Sequence, residues 1–179
     1  VGLHWTYITE WMMSLQEELT MIDSEKITQK AREALQAAQV VAVRNGHQEV
    51  DGEHLLLALL EQADGLVPNV LEKAGVPVAT VRARIEGELD KIPRVSGGAV
   101  EAGKVLITQR LNRLLVKAAD EAKRINDEYV SVEHMLLAFV DEGKGTPAGN
   151  ILMEFGVDRN RLMEAMKSIR GNQRVTSDN

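Results

Sequence analysis

Two copies of a Glu-His pair are the residues in this sequence with the most obvious capacity for chemistry: Glu53-His54 and Glu133-His134, each followed by one residue and then Leu-Leu-Ala. A carboxylate and an imidazole can share general acid and base work, and either can ligate a metal. The spacing supports neither role. The four histidines, His4, His47, His54 and His134, form no H-E-x-x-H or H-x3-H pattern, and the absence of cysteine removes thiolate ligands and thiol catalysis. No serine sits in G-x-S-x-G, and no carboxylate pair has surroundings that would raise one pKa. In nearly all-apolar helices, His54 and His134 read as buried imidazoles bonded to a neighbouring backbone or carboxylate group. Glu53 and Glu133 read either as acids favouring a positive helix end or as recognition points for a basic group.

A second apparent motif fails on its own chemistry. Gly98-Ala99-Val100-Glu101-Ala102-Gly103-Lys104-Val105 approaches the phosphate-binding loop G-x-x-x-x-G-K-[ST], yet Val105 stands where a hydroxyl must ligate magnesium. Pro93 and glycines precede it rather than a buried strand, so it reads as a glycine-rich link. Catalytic residues, a metal site and a cofactor are therefore not expected in this segment.

Composition narrows the partner classes. The net charge is -6, and aromatic residues make up 3% of the chain. A phosphate-backbone binder needs a basic stripe, and a single-strand binder needs stacking platforms; nucleic acid is not expected. The longest apolar block, Leu55 to Leu60, is far short of the roughly 20 residues that cross a bilayer. No membrane span is expected, and the missing cysteines fit a reducing, cytoplasmic setting.

The elements that position these residues are organised by an internal repeat. Thr28-Gln29 and Thr108-Gln109 open segments matching at an offset of 80, through Leu35 and Leu115, Ala38 and Ala118, Arg44 and Arg124, to the two Glu-His signatures. A one-residue insertion then aligns Leu71, Gly75 and Val76 with Leu152, Gly156 and Val157. Each copy predicts four helices. The first is capped by threonine and stopped by Asn45-Gly46 or its counterpart, the second is capped by Asp51 or Ser131 and central, and the third ends at Gly75 or Gly156. The fourth runs to about Ile92 or Ile169. The expected fold is all-α: eight helices in two pseudo-symmetric four-helix repeats, with repeat one at 28–92, a link at 93–107 and repeat two at 108–170, together a domain of residues 21–170.

Residues 1–20 do not share this pattern. They hold Trp5, Trp11 and Tyr7 and no basic residue except His4, and Ile8, Trp11, Met12, Leu15 and Leu19 fall at helical spacing. The segment reads as an appended or upstream-translated leader ahead of Met21, or else as an amphipathic helix docking in an apolar groove. Residues 171–179 are polar and read as the start of an interdomain linker.

The repeat, the two Glu-His-x-Leu-Leu-Ala signatures, Pro93-Arg94-Val95-Ser96-Gly97 and the run Arg170-Gly171-Asn172-Gln173-Arg174-Val175-Thr176 together resemble the amino-terminal domain of Clp ATPases, nearest the ClpB type of protein disaggregase. The resemblance spans residues 22–179. It implies a non-enzymatic domain that engages unfolded or aggregated protein in a shallow groove between the repeats, attached to a hexameric ring whose other modules use ATP and magnesium and cooperate with the DnaK system. As a separate domain it is expected to be a monomer. Substrate-handling positions of the family carry over to Thr28, Asp127 and Glu133, with His134 beside them. Lys117 and Glu121 stand where some relatives have apolar groove residues, so either the stem of Lys117 covers apolar surface or the contacts are more polar. The alternative is a ClpA- or ClpC-type domain that docks an adaptor or recognises modified arginine through Glu53 and Glu133.

Overall fold

The computed structural model describes residues 26–95 and 105–178. Among them are eight helices in chain order: α1 (Gln29–Arg44), α2 (Gly52–Glu61), α3 (Leu66–Lys73), α4 (Val78–Asp90), α5 (Gln109–Arg124), α6 (Val132–Glu142), α7 (Pro147–Glu154) and α8 (Arg159–Arg170). The all-α, two-repeat expectation holds. The leader falls outside the described residues, as does the glycine-rich link except for its final Val105, which is buried.

Local chemistry sets the ends of these helices in the same way in both repeats. Thr28 and Thr108 have extended backbones and accept the N–H groups of Ala31 and Leu111, satisfying donors that the first turn leaves free. At the other end, His47 N–H reaches Ala42 O and Asp127 N–H reaches Ala122 O, both at 2.9 Å. That closing bond needs a left-handed residue just before it. Gly46 supplies it at φ 71° in one repeat, and Asn126 at φ 59° in the other.

Helices α2 and α6 are buried nearly all round and form the centre, with Leu55, Leu56, Leu59, Met135, Leu136 and Phe139 shielded from solvent. Each large aliphatic side chain buried this way contributes roughly 1.5–3 kcal/mol. The short α3 and α7 end in the paired turns at Gly75 and Gly156, where Val76 N–H returns to Leu71 O and Val157 N–H to Leu152 O. One apolar core runs through both repeats.

Two short parallel pairings escaped the sequence reading, because two-residue strands are too short to show a period of two. Strand β1 (Glu49–Val50) pairs with β2 (Leu106–Ile107), matching Glu49 to Leu106 and Val50 to Ile107. The pseudo-equivalent bridge joins Ile27 to Val130. In each case the segment that opens one repeat lies against the segment that precedes the central helix of the other. Helix packing is exchanged likewise, with α3 against α8 and α4 against α7. These crossings bring Thr28 beside the start of α6, and Thr108 beside the start of α2.

Candidate functional site

The paired histidines are structural caps. His54 and His134 occupy the third position of α2 and α6, and each Nδ1 accepts a backbone N–H from the cap residue: Asp51 at 3.0 Å and Ser131 at 2.8 Å. An N–H can only donate, so both rings keep Nδ1 unprotonated and carry hydrogen on Nε2. His54 turns that proton toward Nδ1 of His47 at 2.8 Å, and His134 donates to Asp127 Oδ2 at 2.8 Å. Burial, and then the neighbouring His47, push His54 down to about 4. Burial also lowers His134, against the opposing pull of Glu133 and Asp127. Both imidazoles are neutral hydrogen-bonding spacers with no spare lone pair for catalysis.

Around each cap the exchange of opening segments builds a corner. At the first, the start of α1 meets the start of α6. Arg170, the last residue of α8, donates to Glu133 Oε1 at 3.0 Å and to Asp127 Oδ2 at 2.9 Å. Burial would raise the carboxyl pKa of Asp127, but the Val175 N–H, Arg170 and His134 outweigh it and hold the group below the usual carboxylate range. Residues 171–178 do not project freely from α8. Val175 donates to Asp127 Oδ1 at 2.9 Å and accepts from Glu128 and Tyr129, while Asp178 O receives the Gln29 N–H at 2.7 Å. The segment thus runs across the first corner.

Between these parts lies an open cavity of about 230 Å³ with mainly apolar walls. Thr28 and Lys30 line it from the start of α1, Gln62 and Asp64 to Leu66 from the α2–α3 turn, Ser131 to Glu133 from the start of α6, and Val175 from the terminal segment. Glu133 is 2% exposed, and its Oε2 has no hydrogen-bond partner. A buried carboxylate oxygen in that state favours any donor that can reach it.

The second corner has the same plan and a different filling. Arg110, near the start of α5, turns inward to bond Glu53 Oε2 at 2.5 Å and both oxygens of Glu142 at 3.1 and 3.2 Å, with Asp51 at 3.4 Å. Thr108 donates to Asp51 at 2.8 Å. Burial would lower the pKa of the Arg110 guanidinium, but Glu142 and Glu53 more than offset it, so the group stays charged. Burial raises Glu53 against the pull of Arg110.

Of the sequence-derived positions, Thr28 and Glu133 face the cavity, Asp127 supports it through Val175 and Arg170, and His134 lies behind Asp127. Lys117 and Glu121 lie elsewhere on α5 and are not part of the cavity wall. Lys117 pairs with Asp141 at 3.4 Å, and the buried Glu121 pairs with Arg159 at 2.7 Å and with Arg124 at 3.3 Å, tying α5 to α6 and α8. The sequence reading missed Arg110, Arg170 and Val175. Arg110 aligns with Lys30 at the offset of 80, and Arg170 and Val175 entered only within the run that carries the family resemblance. Among the described residues no group of three or more His, Cys, Asp or Glu is placed to hold a metal ion, and no helix is long and apolar enough to cross a membrane.

Comparison with known proteins adds independent findings. The family model described as the Clp repeat (R) N-terminal domain matches residues 26–155. The chain is 44% identical over 158 residues to the chaperone protein ClpB of Nitratidesulfovibrio vulgaris, and 43% identical over 158 residues to that of Bacillus cereus strain ATCC 10987. Each match covers 88% of this chain and 18% of the relative, so the chain spans about a fifth of those proteins' length. Among solved structures, the fold is similar to the Hsp104 N-terminal domain from Candida albicans, with a TM-score of 0.70 at 21% identity, covering 86% of this chain and 97% of the other. It is also similar to the N-terminal domain of the ClpV1 ATPase from E. coli, with a TM-score of 0.69 at 19% identity, covering 94% and 99%.

Proposed function

Since the chain belongs to the Clp repeat N-terminal domain family, we propose that it is the client-engaging domain of a ClpB-type chaperone and that the first corner is where unfolded or aggregated protein is held. The observation that carries this reading is the buried Glu133, with one unpartnered oxygen, on the wall of an open and mainly apolar cavity. A space of about 230 Å³ takes one or two side chains. It does not take a folded surface, so its natural occupant is an extended stretch that inserts an apolar side chain and offers an N–H to Glu133. Such a contact is weak and tolerant of sequence. Several domains on one ring would add avidity while still releasing the client.

In this proposal the domain has no catalytic role. ATP and magnesium belong to modules of the longer protein, which would form a hexamer in the cytoplasm and work with the DnaK system. Lys117, Glu121, Asp127 and His134 remain proposed contributors, the last two through Glu133 and the terminal segment. The test is an NMR titration with reduced, carboxymethylated α-lactalbumin as the unfolded probe. Shifts centred on Thr28, Leu66 and Glu133, and lost in a folded Glu133→Gln variant, are the expected result. Unmoved amides at all three would refute it.

A second reading, recognition of an adaptor or a modified arginine through Glu53 and Glu133, has one observation in its favour. Both glutamates bind a guanidinium here. Both guanidiniums are the chain's own, so an external arginine would have to displace Arg110 or Arg170. Binding of a phosphoarginine peptide that is abolished by Glu53→Gln would favour this reading over the first.

A further inference from the structure

The two corners are built on equivalent positions, and among the described residues the first lines an open cavity while a guanidinium fills the second. Thr28, Lys30, Gln62, Ser131, Val132 and Glu133 of the open corner correspond at the offset of 80 to Thr108, Arg110, Glu142, Asp51, Gly52 and Glu53 of the closed one. The threonine and the glutamate are shared, and each glutamate is buried with one oxygen unpartnered. The other four positions differ, and all four differences act in one direction.

Lys30 extends to solvent, 60% exposed, and pairs with Glu33 on its own helix. Arg110 at the same place is 18% exposed and points inward. Charge explains part of this. Where the open corner has the neutral Gln62 and Ser131, the closed one has Glu142 and Asp51, so three carboxylates with Glu53 surround the guanidinium. Space explains the remainder. Val132 is replaced by Gly52, and a Cβ on Gly52 would stand 2.9 Å from Arg110 Nη2 and 3.2 Å from the Phe139 ring. A side chain there would press the guanidinium out of its present seat. Gln62, by contrast, spends its amide on the Lys30 carbonyl at 2.9 Å and draws no side chain inward.

We infer that the domain holds two pseudo-equivalent client pockets and that Arg110 is a built-in plug that shuts one of them, so that each domain offers a single client port. The inference rests on the client reading of the open corner. Its content is different: the residue that sets the number of ports lies in neither Glu-His signature and touches no client. Because the same guanidinium also ties α5 to α2 and α6, the test reads pocket opening rather than stability.

The experiment is the same NMR titration with reduced, carboxymethylated α-lactalbumin, run on the unaltered chain and on the combined variant Arg110→Lys, Gly52→Val, Glu142→Gln, which gives the closed corner three residues of the open one. Arg110→Ala is run in parallel, in case the combined variant does not fold. In the unaltered chain, shifts are expected at Thr28 and Glu133 and none at Thr108 or Glu53. In a folded variant, the shifts at Thr108 and Glu53 should rise from nothing to an amplitude like that at Thr28 and Glu133. A folded variant still silent at Thr108 and Glu53 would overturn the plug, as would an unaltered chain that already shifts there. If the variant responds at the second corner while neither protein responds at the first, the plug stands and the client reading of the first corner falls. Silence everywhere in both proteins removes both.

Discussion

Acid should destabilise this domain through His54. In the unfolded chain this imidazole titrates near 6.5, whereas the folded protein holds it at about 4. The folded pKa is the lower, so between those values the unfolded state binds a proton that the native state refuses, and stability falls as pH falls. Each pKa unit is worth about 1.4 kcal/mol, so the loss from this one ring reaches ~2 kcal/mol at pH 5 and ~3 kcal/mol near pH 4. The structural cause is specific. Asp51 N–H holds Nδ1, Nε2 is turned to His47, and the ring is 1% exposed. His54→Gln isolates the effect, since glutamine can still accept the Asp51 N–H in the capping arrangement but does not titrate. Urea denaturation followed by circular dichroism at pH 7.5 and pH 5 is the assay. With a slope of roughly 2 kcal/mol per molar urea, the parent midpoint should drop by about 1 M more than that of His54→Gln. Residual acid sensitivity is expected in the variant, because burial also lowers His47 and His134. A variant that loses as much stability as the parent between the two pH values would refute the argument.

Further outcomes follow from individual contacts. Arg170→Ala removes the guanidinium from two buried carboxylates and should destabilise the fold by about 3 kcal/mol in thermal unfolding. The same variant should speed hydrogen exchange at the amides of Glu128 and Tyr129, which bond Val175. Leu56→Ala, at a fully buried position of the central helix, should lose about 2–5 kcal/mol in denaturant unfolding. Lys117→Ala breaks an ion pair whose partners are each about half exposed, and should shift stability by less than about 1 kcal/mol. Gly46→Ala forces a side chain into φ 71° and should lower stability by about 1 kcal/mol, which thermal unfolding would read.

The sequence was most legible where one residue acts on its near neighbours. Thr28 and Thr108 as caps, Gly75 and Gly156 as stops, and the apolar runs after His54 and His134 all act within a turn or two, and the internal repeat counted each of them twice. The chemistry of the site depended on partners far along the chain. Arg170 meets Glu133 across 37 positions and Arg110 meets Glu53 across 57, distances over which charge patterning carries no directional information. His47 and Asp127 show a further limit. They are repeat equivalents at the offset of 80, yet one gives its central histidine a neutral acceptor and the other an ionised one. Aligning the repeats could show that these residues differ, but not that each faces the histidine one helix onward.

The exchange of opening segments also has a consequence for assembly. Ile27 pairs with Val130 and Ile107 with Val50, so neither half possesses a complete set of its own backbone partners. The domain is in effect a complex of two subunits held on one chain, with the link between them setting an effective concentration on the order of millimolar. Cutting that link would turn folding into an association that depends on protein concentration, and two separately made halves should find each other again.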